Sequence, residues 1–181
     1  MTSRSKRRSS LKSLIKNVPS NDEMGQICLE LKDYDDYAAV VVGLSLLDRA
    51  LQFALLGKLI QLSSEDRDRL FSDGENAPLS TLSSKIAVAH ALGLYGAAGK
   101  RMKDDLDDLR NIRNVFAHSA RALKFESSQI TDIIDNLQFF SNYLQIAAVP
   151  SKDKFGLVVA YLVAFFNQLD AAAAAIYDPP P

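Results

Sequence analysis

One stretch of this chain combines residue types and a spacing that could do acid–base chemistry: Arg113-Asn114-Val115-Phe116-Ala117-His118. An imidazole, with an ordinary pKa of about 6.5, can exchange a proton with a ribose hydroxyl or a leaving oxygen at neutral pH. A guanidinium can hold charge that develops on phosphorus-bound oxygens through its planar donor fork. Asn114, one helical turn before His118, can orient that imidazole. The spacing works against simple convergence, because five residues place Arg113 and His118 roughly 140° apart around an ideal helix. They meet on one phosphate only if the arginine bends round or a second copy of the chain contributes.

The arginine also stands where a helix should be apolar. On a helix predicted over about 98–122, Met102, Leu106, Leu109, Phe116, Ala117 and Ala120 cluster on one side, and Arg113 points into the middle of them. Asp104, Asp107, Asn111, Asn114 and His118 form a separate polar stripe on roughly the opposite face. A guanidinium desolvated alone costs several kcal/mol, so it needs a partner or a route to water. Asp48 borders the apolar stripe of a neighbouring helix and is the candidate partner. Arg113 thus has two compatible readings: half of a buried Arg113–Asp48 ion pair that fixes helix register, or a catalytic cation. The charge around the motif is unhelpful to catalysis on nucleic acid. Asp104, Asp105, Asp107 and Asp108 lie upstream, with only Arg110, Arg121 and Lys124 as nearby bases.

The elements that must position these residues read as helix nearly throughout. Ser20-Asn21-Asp22-Glu23 is a capping box that starts a helix running to about residue 31 or 32. A second helix is predicted over about 35–62, where Val40, Leu44, Leu47, Leu51, Leu55, Leu59 and Leu62 recur at three- and four-residue spacing. Lys58 falls on that stripe and can snorkel outward. Ser64 caps a short helix ending near Phe71, and the Asp-Gly and Asn-Ala-Pro chemistry of 72–78 makes a loop. Ser80 caps the next helix, which turns Leu82, Ile86 and Ala89 inward and ends at Gly93 or Gly96. After the helix at 98–122, another is predicted from Ser127 or Ser128 to about Ala148, stopped by Pro150, and a last one over about 152–177. No segment alternates with a strand's period. The expected architecture is all-α: an antiparallel bundle of about six to seven helices. One helical domain would span 20–177, between a basic disordered arm at 1–19 and a frayed tail at 178–181.

Composition narrows the function classes. Six of the 21 basic residues and none of the 22 acidic ones fall in 1–20, which leaves residues 21–181 with a net charge of −7. That body repels a nucleic-acid backbone unless its charge is locally patterned. The arm, with Arg4, Lys6, Arg7 and Arg8, is the segment that could touch phosphate or an acidic partner, although a solvated tail is the plainer reading. A single cysteine, Cys28, excludes an intramolecular disulfide. There is no Cys/His zinc cluster, phosphate loop, dinucleotide fingerprint or carboxylate metal motif, so neither metal nor cofactor is expected. The N-terminus lacks the apolar core of a signal peptide, and the longest apolar run, Leu157–Phe166, is half a membrane span. A cytoplasmic protein without membrane association is expected. Ser83, Ser84 and Lys85 show no paired base or oxyanion arrangement, and His90 reads as a half-buried side chain.

Two levels of resemblance follow from these residues. The run Arg113-Asn114-x-x-x-His118 resembles the signature of the HEPN superfamily of helical domains. The wider chain resembles the MltR family, which takes its name from the mannitol operon repressor. That likeness is carried by Leu70-Phe71, Gly74-x-Asn76-Ala77-Pro78-Leu79-Ser80-Thr81, Ser84-Lys85-Ile86, Ala91-Leu92-Gly93-Leu94, and Leu109-Arg110-x-Ile112-Arg113-Asn114-x-Phe116-Ala117-His118. It covers about 50 residues directly; the basic arm and the Ala-rich C-terminus differ from the family. The MltR resemblance implies a non-enzymatic regulator, a transcriptional repressor or co-regulator working through protein–protein contacts. The HEPN resemblance implies a homodimer and, as the alternative function, a metal-independent ribonuclease in which Arg113 and His118 are catalytic and Asn114 orients the imidazole. The sequence has no helix-turn-helix with an exposed basic recognition helix. DNA contact by the folded body is therefore not expected, and nucleic-acid binding would fall to the arm.

Overall fold

The computed structural model describes residues 19–72, 77–138 and 149–176. Among these residues there are seven α-helices, two 3-10 turns and no strand: an all-α bundle, as the periodicity predicts. The basic arm with Arg4, Lys6, Arg7 and Arg8, the loop positions Gly74 and Asn76, and the C-terminal tail lie outside the described residues.

Helix α1 (Asn21–Glu30) begins at the expected capping box. The Glu23 amide donates to Ser20 Oγ at 3.3 Å, and the Ser20 amide donates to Glu23 Oε2 at 2.7 Å. The backbone donation, then the serine hydroxyl, holds the Glu23 carboxyl below its usual range. After a 3-10 turn at Leu31–Asp33, Asp35 caps α2 (Asp36–Leu56) by accepting from the Ala38 amide at 2.8 Å. The predicted stripe is fully buried from Val40 through Leu55. The helix stops six residues short of the predicted end. Gly57 forms its C-cap, and the Lys58 and Leu59 amides turn back to the Leu55 and Leu56 carbonyls. Beyond the cap Ile60 is 83% exposed, while Leu59 of the predicted stripe still packs against the core, from the turn rather than from helix.

Helix α3 (Ser64–Phe71) is capped by Ser63, and α4 (Leu82–Ala91) by Thr81, each one residue from the predicted cap. Leu79, inside the loop motif, is buried and ties back to α3 through its amide and the Leu70 carbonyl, 2.8 Å apart. Gly93, at φ +70, closes α4: its amide reaches the His90 carbonyl and the Leu94 amide reaches that of Ala89. Helix α5 (Gly99–His118) follows a 3-10 turn at Gly96–Ala98. Its end is earlier than predicted because the Ser119 hydroxyl captures the backbone of Arg121, accepting from its amide at 3.1 Å and donating to its carbonyl at 2.9 Å. Helix α6 (Ser128–Asp135) ends at Asn136, whose amide side chain satisfies the Asp132 carbonyl; positions 139–148, where the helix was expected to continue, lie outside the described residues. Helix α7 (Ser151–Ile176) matches its prediction within a residue at each end.

The core is centred on α2, which packs most extensively against α7 and also against α5 and α4, while α1 and α6 lie on α7 and α4 lies on α5. Helix α2 is long and apolar enough to cross a membrane by length and composition alone, and here these partners cover much of it. Gly43 permits the close approach to α7. A Cβ at this position would lie 3.2 Å from Leu31 Cδ1 and 3.3 Å from Phe155 Cε1. A ladder of rings, Phe116–Phe125–Phe155, with centroids 5.7 and 5.2 Å apart, joins the end of α5 to α7.

Candidate functional site

The motif occupies the last turns of α5. Met102, Asp105, Leu106, Leu109, Ile112 and Phe116 form its buried face. The face narrows towards the C-terminus: Ile112 and Phe116 are buried, Arg113 is half-buried, and Ala117 and Ala120 are exposed. Asn114 and His118 are exposed on the polar stripe, as predicted. Arg113 therefore stands at the margin of the core with access to water. Among the described residues it has no ion pair and no side-chain hydrogen bond, and His118 makes none either.

The expected Arg113–Asp48 pair does not form. Asp48 Oδ2 instead accepts from Lys85 Nζ at 2.8 Å, and Lys85 also donates to Gln52 Oε1 at 3.3 Å. The Lys85 side chain is 3% exposed against 32% for Asp48. The reason is positional. Lys85 shares the inward face of α4 with Leu82, Ile86 and Ala89, at spacings of three and four residues, and that face packs onto α2. A lysine so enclosed demands the carboxylate more strongly than an arginine that can reach solvent. Lys85 interrupts an apolar stripe just as Arg113 does, so the sequence holds two candidate cations for one carboxylate and does not choose between them.

A second buried acid has the same character. Asp105, 2% exposed, accepts from the Gln138 amide at 2.8 Å and so anchors the segment after α6. On the polar side of α5, Lys103 pairs with Asp107 at 2.7 Å and Lys100 with Asp104 at 2.5 Å. Burial, then repulsion from Asp104 and Asp107, raises the Asp108 carboxyl above its usual range. Arg110 is turned towards α4, with its guanidinium 2.6 Å from Ser83 Oγ. The Cys28 thiol is buried and pushed up to about 11 by desolvation, which makes it a poor nucleophile at neutral pH. Burial and then Asp107 push the Tyr95 hydroxyl upward too; it donates to the Ile86 carbonyl at 2.9 Å.

Beside the motif, an open groove of about 790 Å³ runs between the end of α5, the segment 119–126 and the first turn of α2. Phe116, Ala117, Ala120, Ala122, Leu123 and Tyr37 give it apolar surface, and Asp35, Asp36, Arg121, Lys124 and Glu126 give it charge. Two of its acids are already engaged. Asp35 caps α2, and Asp36 accepts from the Phe125 amide at 3.1 Å and lies 3.4 Å from Lys152 Nζ. Arg121 and Lys124 are exposed and have no ion-pair partner among the described residues. Sequence reading missed this groove, because it treated 119–122 as more helix. The available signal was charge: from Leu109 to Phe125 the chain carries Arg110, Arg113, Arg121 and Lys124 and no acid.

Neither Arg113 nor His118 lines the groove. Among the described residues no cluster of His, Cys, Asp or Glu could hold a metal ion. Comparison with protein-family models, with curated proteins and with solved structures finds no match to this chain.

Proposed function

We propose that this chain is a non-enzymatic regulator of the MltR kind, a transcriptional repressor or co-regulator that acts through protein–protein contacts as a cytoplasmic homodimer. The observation that carries the reading is the groove at the end of α5. Its surface is about equally apolar and polar, its size falls within the roughly 300–1,000 Å³ usual for ligand pockets, and its exposed cations Arg121 and Lys124 have no ion-pair partner among the described residues. The basic arm, with Arg4, Lys6, Arg7 and Arg8, would supply any contact to DNA phosphate, since the folded body is acidic.

A second reading, a metal-independent ribonuclease, is favoured by one feature. Among the described residues Arg113 and His118 have no side-chain partner, and both reach solvent, so a phosphate could approach them. They sit roughly 140° apart on their helix, and a shared active centre would need a second copy of the chain. The deciding experiment is RNA cleavage by the purified chain in EDTA, with His118→Ala as the control. The regulator reading expects no cleavage from either protein. Cleavage that disappears in His118→Ala would establish the ribonuclease and overturn the regulator.

A further inference from the structure

We draw no further inference here: the strongest candidate, the outward face of α7, where Leu157 and Ala164 are exposed on a stretch with no charged residue from Phe155 to Leu169, carries none because nothing in the structure shows what covers it.

Discussion

Removing the Asp48 carboxylate should cost this fold far more than removing Arg113, and the contrast tests how its buried charge is arranged. In Asp48→Ala the Lys85 ammonium loses its 2.8 Å partner and keeps one neutral acceptor, Gln52, at 3.3 Å. Breaking one side of a fully buried ion pair costs about 3–5 kcal/mol. Here Asp48 is one-third exposed, so water can enter where its carboxylate was, and the Gln52 bond persists. The expectation falls to about 2–3 kcal/mol, or about 5–10 °C in Tm for a chain of this size. Arg113→Ala loses only the packing of a half-buried stem, since no carboxylate is left behind, and should cost under about 1 kcal/mol. Urea unfolding followed by circular dichroism measures both. Combining Asp48→Ala with Lys85→Met should recover much of the loss, because it removes the orphaned charge; a coupling of at least about 1 kcal/mol is expected from the double-mutant cycle. Equal costs for Asp48→Ala and Arg113→Ala, or additive behaviour of Asp48→Ala and Lys85→Met, would refute the assignment of Asp48 to Lys85.

Two further outcomes follow from the packing. The Cys28 thiol ionises near 9.0 when unfolded and near 11 when folded, so across that interval the unfolded chain gives up a proton that the folded chain retains. Stability should therefore fall as pH rises from about 9 to about 11, by on the order of 2–3 kcal/mol from this group, with Tyr95 adding to the loss above its ordinary value; Cys28→Ala should flatten the lower part of the slope in urea titrations. Asp36→Ala removes the acceptor of the Phe125 amide and the partner of Lys152, and should cost about 1–3 kcal/mol. It should also speed proteolytic cleavage within 119–127, and an unchanged cleavage rate would count against Asp36 as the anchor of the groove wall.

The helices were legible where a capping side chain and an apolar stripe coincide. Ser20 with Glu23 at α1, and the run from Val40 to Leu55 in α2, are visible in the sequence because each position makes its own local interaction. The ends of α2 and α5 were not, because tertiary contact and side-chain competition set them. Leu59 and Leu62 keep the stripe's spacing and are half-buried, yet they follow the Gly57 cap outside the helix, and Ser119 takes the backbone of Arg121 out of the helix at a point where Ala117, Ala120 and Ala122 read as helical. The polar stripe that carries Asn114 and His118 was legible for the same reason as α2: spacing alone puts these residues opposite Leu109 and Phe116. The partner of Asp48 was not, since choosing between Arg113 and Lys85 depends on which helix crosses α2 at that level, and periodicity carries no information about crossings.

These cases separate architectural charge from charge left over. Lys85 and Asp105 are both about 2% exposed, and each meets its acceptor or donor within 2.8 Å inside the chain. Their partners come from elements distant in sequence, so they fix which surfaces meet, and any change there is read out as stability. Arg113, Arg121 and Lys124 differ on both counts: water reaches them, and among the described residues no carboxylate is spent on them. Retaining them stabilises this fold little, because exposed unpaired cations contribute almost nothing to folding. Three such cations and an exposed histidine, with no acid among them, fall between residues 113 and 124, in a body (21–181) of net charge −7. A helix C-terminus favours cations within its last turn, by about 0.3–1 kcal/mol, and Arg121 and Lys124 lie beyond that turn, past the Ser119 cap. Charge reversal at Arg121 and Lys124 should therefore leave the urea midpoint in place.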